Sequence, residues 1–162
     1  MRAPLRVSLG AAVCMCVLLT VQARAAAPLA PAGAAAAPVM AIERFVNTRA
    51  AIPAGTYAPG AVISDEFAPF HWATGDVGGQ WSAGFIAYNA SIKLTAWRIV
   101  LAMPSEYATA RGRYYVVYPA RFTGRLNGKP YVETGYWTFV VIQQRSGTWA
   151  VQSQTWAGVT FK

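Results

Sequence analysis

Charge is scarce in this sequence: 12% of its 162 residues are charged, and only six of those are acids. Histidine occurs once, at His71, and cysteine twice, at Cys14 and Cys16. One histidine and six dispersed acids supply no pair of metal ligands at helical spacing and no thiolate cluster, so a resident metal is not expected. There is no glycine-rich dinucleotide loop and no phosphate-binding loop, and no cofactor is expected. No G-x-S-x-G elbow brings a serine to His71, which removes the usual form of nucleophilic catalysis. Nor does any Lys/Arg run alternate with aromatics, so nucleic acid is not an expected partner.

What is present starts with a leader. Arg2 and Arg6 precede an apolar run over 7–21, followed by Gln22 and the small-x-small triplet Ala23-Arg24-Ala25. That order predicts a secretory signal over 1–25, because signal peptidase accepts small residues at those positions. The run falls short of the ~20 apolar residues that span a bilayer, so no membrane association is expected after cleavage. Both cysteines lie in the leader, so the expected mature chain carries no thiol. Losing Arg2, Arg6 and Arg24 leaves eleven basic residues against six acids, a net charge of +5. Residues 26–38 are Ala/Pro-rich without apolar periodicity and predict a tether. The remainder, 39–162, is the size of one domain.

Within it, Val39, Ile42, Phe45 and Val46 fall at helical spacing, which predicts an amphipathic helix over 39–50, stopped by Pro53 and Gly55. Residues 61–67 alternate as a strand does, which would turn Asp65 and Glu66 to opposite faces. A helix is expected over 80–91, carrying Trp81, Phe85 and Tyr88. Strands follow over 95–103, 113–123, 131–143 and 148–159, with turn residues at Asn127-Gly128 and Ser146-Gly147. Helices first and an antiparallel meander after predict an α+β domain. Strand parity puts Tyr114, Val116, Tyr118, Ala120 and Phe122 on one face, Glu133, Gly135, Trp137 and Phe139 on one face, and Gln152, Gln154 and Trp156 on one face. The opposite rows are apolar too, so a second layer is needed, and a homodimer would supply it.

The densest chemistry is at 63–72, I-S-D-E-F-A-P-F-H-W, where two acids and the lone histidine sit among aromatics. Asp65 is the candidate general base, since burial among apolar groups would lift its pKa toward the range where a carboxylate accepts protons usefully. His71 is the candidate acid partner. The competing reading makes Asp65 a structural acid and His71 a packed side chain. Phe45, Phe67, Trp72, Tyr118, Phe122, Trp137, Phe139 and Trp156 are the candidate ligand-binding wall, or else simply core.

The order of helices, D-E-F-x-P-F-x-W at 65–72, Y-Y-V-V-Y-P-A-R-F at 114–122, N-G-K-P at 127–130, E-T-G-Y-W-T-F-V at 133–140 and W-A-V-Q-S-Q-T-W-A at 149–157 resembles the nuclear transport factor 2-like superfamily, also called SnoaL-like or ketosteroid-isomerase-like. The resemblance covers nearly all of 39–159. It implies a cone-shaped fold with N-terminal helices packed on a curved antiparallel sheet, and it implies little about function, because that fold hosts many activities. In the isomerases that it resembles, a strand carboxylate moves a proton while a tyrosine and a protonated acid hold the oxyanion. Asp65 falls at the base position, while Phe45 and Trp137 occupy the donor positions. Losing both donors implies that steroid isomerisation is not its reaction.

Three functions stay open: an exported domain, periplasmic or else secreted, that binds a small, largely apolar molecule; a proton-transfer enzyme, isomerase or dehydratase, with Asp65 as base; and a structural, dimerising module whose cavity is filled by Trp137 and Trp156.

Overall fold

The computed structural model describes residues 33–161. The expected leader and most of the expected tether lie outside the described residues. A 3-10 turn at Gly33–Ala35 leads into helix α1 (Ala37–Thr48), which buries Val39, Ile42, Phe45 and Val46. The folded part therefore begins inside the stretch expected to be tether, because Ala35 packs on the core and Pro38 is buried at the start of α1. Arg49, in the left-handed conformation at φ 67°, ends the helix by donating its backbone N–H to Phe45 O at 2.8 Å.

After α1 come β1 (Tyr57–Ser64), the two-residue β2 (His71–Trp72) and α2 (Val77–Ser91). Asp76 caps α2, its carboxylate accepting from Gly79 N at 3.0 Å. Five strands follow: β3 (Leu94–Leu101), β4 (Glu106–Ala110), β5 (Arg113–Leu126), β6 (Lys129–Gln143) and β7 (Trp149–Phe161). All seven strands form one sheet in the order β2-β1-β7-β6-β5-β3, with β4 also pairing β5. The long β5 thus shares one edge between β3, along 120–126, and β4, along 113–117.

The fold is α+β, two helices on a curved sheet, but the sheet is mixed rather than wholly antiparallel. β1 runs parallel to β7, pairing Ile63 with Gln154 and Ser64 with Thr155. Such a parallel pair needs a long crossover, and α2 with the strands after it supplies one. β4 is not expected from the sequence: of its five residues only Tyr107 is partly buried, so its apolar alternation is faint.

Asn127 and Gly128 both take positive φ, 51° and 78°, and close the β5–β6 hairpin as a tight turn of that chemistry should. Gly135 serves a close approach: a Cβ there would overlap the Ala157 carbonyl oxygen of β7. The register aligns Tyr118 with Trp137 and Trp137 with Trp156 across β5, β6 and β7. Parity holds along the β5 and β6 rows, whose inward residues are buried or nearly so. In β7 it breaks at Gln152, where a bulge lies opposite the Val140–Val141 step. α1 and α2 cover this inner face. Asn47 ties α1 to the edge strand β3, its Nδ2 donating to Ile99 O at 3.0 Å and its Oδ1 accepting from Ile99 N at 2.8 Å. No helix among the described residues is long and apolar enough to cross a membrane.

Candidate functional site

β1 ends at Ser64, and the chain then turns back on itself: Asp65 N donates to Phe70 O at 3.2 Å and Phe70 N to Phe67 O at 2.8 Å. Strand parity therefore stops one residue before Asp65. As a result both Asp65 and Glu66 line the same cavity, which corrects the expectation that they face opposite ways. This cavity, about 100 Å³, lies between α2, the 65–70 turn and the inner face of the sheet. Trp81, Leu94, Ile99 and Trp137 are among its buried lining, while Glu66 and Tyr88 are exposed, so it is open to solvent.

Asp65 is held there by neutral donors. Trp81 Nε1 donates to its Oδ2 at 2.8 Å, and the backbone N–H of Glu66 to its Oδ1 at 2.7 Å. Burial lifts the Asp65 carboxyl to about 6; the two hydrogen bonds pull it back down in part, and the nearby charge of Glu66 pushes it up again. On β6, Glu133 is 7% exposed and accepts from Trp156 Nε1 at 2.7 Å and from the Tyr131 hydroxyl at 3.0 Å. Burial raises its carboxyl too; those two bonds oppose the rise, and the charges of Glu66 and Asp65 add to it. At the rim, Glu66 accepts from Gly158 N of β7.

Two donors in the same lining have no partner among the described residues: Asn89 Nδ2 on α2 and Trp137 Nε1 on β6, in residues only 3% and 2% exposed. Buried polar groups are nearly always paired, so these two are free to take a partner from a molecule in the cavity; Trp97 Nε1 and Gln154 Nε2, which do not line it, are unpaired as well.

Of the residues singled out in the sequence, the cavity brings together Asp65, Phe67, Phe122, Trp137 and Trp156. Five others do not line it. His71 is exposed on β2, paired with Ser64, and is not among the hydrogen-bond partners of Asp65. Trp72 is buried against Phe67, with ring centres 5.1 Å apart. Phe45 lies behind the lining, edge-on to Trp81 and Phe85. Tyr118 and Phe139 pack on each other further along the sheet, 6.2 Å between centres.

Residues that sequence reasoning passes over matter as much. Glu133 reads in the sequence only as a member of an inward row, yet it sits four residues before Trp137 on that row and supplies a third cavity acid. Trp137 itself supplies a free N–H where no donor is expected. Asn89 has a legible signal: it is the polar residue on the apolar stripe that Trp81 and Phe85 of α2 make with Ile92 just after it.

No protein-family model matches the sequence, and no curated protein does either. Solved structures do match. A nuclear transport factor 2-like superfamily protein from Salmonella enterica is 12% identical, with TM-score 0.61 over 76% of this chain and 87% of that one. A ketosteroid isomerase-like protein from Erwinia carotovora atroseptica is 16% identical, with TM-score 0.60 over 78% and 95%. A hexachlorocyclohexane dehydrochlorinase from Novosphingobium barchaimii is 8% identical, with TM-score 0.65 over 77% and 84%. At these identities the likeness is one of fold: this chain has the α+β cone of the nuclear transport factor 2-like superfamily.

Proposed function

We propose that this domain binds a small, largely apolar molecule in the aromatic cavity beside Asp65. The observation that carries the reading is an open cavity with two buried N–H donors left unpartnered in its wall. An apolar cavity of ~150 Å³ holds a single benzene ring, so a space of about 100 Å³ that opens to solvent suits a molecule of that order. The structural-module reading presupposes a cavity filled by Trp137 and Trp156; both line an open one instead, which favours binding. Export belongs to the proposal and rests on residues 1–25; the periplasm, rather than the medium outside the cell, rests on the absence of cysteine from the expected mature chain and on the family resemblance. A homodimer belongs to the proposal too, favoured by the outer sheet face, where Val100, Tyr136 and Val159 stay exposed around a shallow groove.

Native mass spectrometry of the full chain, purified without denaturation, tests binding and dimer together. A reproducible small-molecule adduct that disappears in the cavity-filling variant Ile99→Phe is expected. No adduct, together with no shift in melting temperature from a panel of ring-sized apolar molecules, would sink the binding reading.

A second reading makes the domain a proton-transfer enzyme with Asp65 as base. Its support is the Asp65 carboxyl lifted to about 6, near the pH at which a base can both hold and release a proton. The neighbours called isomerase-like and dehydrochlorinase accord with it without deciding it. Incubating the retained molecule with the protein in deuterated water should incorporate deuterium with wild type and not with Asp65→Asn. Equal incorporation by both would remove Asp65 from the role of base.

A further inference from the structure

Lys and Arg outnumber acids fourteen to six in this chain, yet three of the six acids line one cavity, and among the described residues no Lys, Arg or His lines it. The groups that hold Asp65 and Glu133 are neutral: two indole N–H groups, a backbone amide and a phenol. Every charge that acts on these two acids from within the cavity is another carboxylate. Carboxylates removed from water with no positive partner are costly, and a basic chain has arginines to spare for pairing them. Around them stand the rings of Trp81, Phe85, Phe122, Trp137 and Trp156. Aromatic faces attract cations through the ring quadrupole, most strongly where water is excluded. Just behind this lining the chain already uses that attraction: the Arg49 guanidinium lies 3.8 Å from the centre of the Trp97 ring, which packs edge-on against Phe85.

We infer that the cavity selects a small organic cation of the alkylammonium type, held by Asp65, Glu66 and Glu133 and by the aromatic walls, and carrying one hydroxyl or carbonyl oxygen for the free N–H groups of Asn89 and Trp137. The inference rests on the reading that this cavity binds a small molecule and narrows it to one charge class. The two free donors are an observation independent of the acids. Taken alone they would suit an anion, but three carboxylates in the same lining repel one, which leaves a neutral acceptor atom on a positively charged molecule.

The test compares choline with its carbon isostere, in which a quaternary carbon replaces the nitrogen, so that size and hydroxyl are kept and charge is removed. Titration calorimetry of the full chain at low salt and near-neutral pH should give choline at least about tenfold tighter binding, about 1.4 kcal/mol. Asp65→Asn and Glu133→Gln should each shrink that ratio while keeping the wild-type circular dichroism, since both replacements are near-isosteric and remove a buried charge. An isostere that binds as well as choline overturns the cation inference and leaves the cavity reading standing. The cation inference falls in the same way if neither binds but neutral indole does. If choline, its isostere and indole all fail to bind, both readings fall.

Discussion

The inner face of β5, β6 and β7 ends differently at its two extremities. At one, Tyr114, Val116, Val141 and Val151 are closed over by the start of α1 and the turn before it, and the Tyr114 hydroxyl donates to Ala35 O. Tyr107 and Trp149 pack on Tyr114 there, 5.9 and 5.6 Å between ring centres. At the other, Phe122, Glu133, Trp137 and Trp156 face a cavity with two acids of raised pKa and two unpaired donors. β5 and β6 keep one alternation through both ends, while β7 changes parity at its bulge and the cover differs. The packed end has one departure, the buried Gln154 Nε2 without a partner, while the other end gathers several at once. Departures gathered in one place mark a site, where stability is given up for chemistry.

The sharpest test of that contrast is to remove a ring from the packed part. Phe139, fully buried against Trp137 and Tyr118, should cost about 3–5 kcal/mol when replaced by alanine, read from urea unfolding. A loss below about 1 kcal/mol would mean that this region is not the stabilising one.

At the cavity the sign should reverse. The Asp65 carboxyl, near 3.8 when free, sits at about 6 in the folded chain, so the folded state holds the proton more tightly than the unfolded state does. Asp65 therefore destabilises the fold above about pH 6 and ceases to do so as pH falls toward about 4. Asp65→Asn should raise stability at neutral pH by up to about 3 kcal/mol and flatten this part of the pH curve. A variant less stable than wild type at neutral pH would make Asp65 a structural acid. The smallest effect belongs to His71, exposed on β2: His71→Ala should stay within about 0.5 kcal/mol of wild type and leave the calorimetric titration with choline unchanged.

Much of the fold is legible in the sequence because it is locally encoded. The spacing of Val39, Ile42, Phe45 and Val46 gives α1, and Asn127-Gly128 gives its hairpin. Parity gives the inward rows, and only register is needed to lay Tyr118, Trp137 and Trp156 side by side. The parallel pairing of β1 with β7 is not legible, since it joins residues some ninety positions apart and leaves no local mark. At the site, Asp65 stands out as an acid among aromatics. Glu66 is misplaced when strand alternation is carried past Ser64 into what is a turn. His71 draws attention by its rarity and by lying six residues after Asp65, and neither says where its side chain lies.

The pairing of β1 with β7 also sets the order in which the site can come into being. Contacts between distant parts of a chain form late, because closing a long loop costs entropy before the contact repays it. Asp65 and Glu66 follow β1, Glu133 lies on β6, and Trp156 and the Gly158 amide that Glu66 accepts from belong to β7, the last of the described strands. During synthesis the helices and the β5–β6 hairpin can form while the cavity still lacks a wall. The three carboxylates meet only once the final strand has docked, so a chain that has not finished folding presents no assembled anionic pocket to bind the wrong partner.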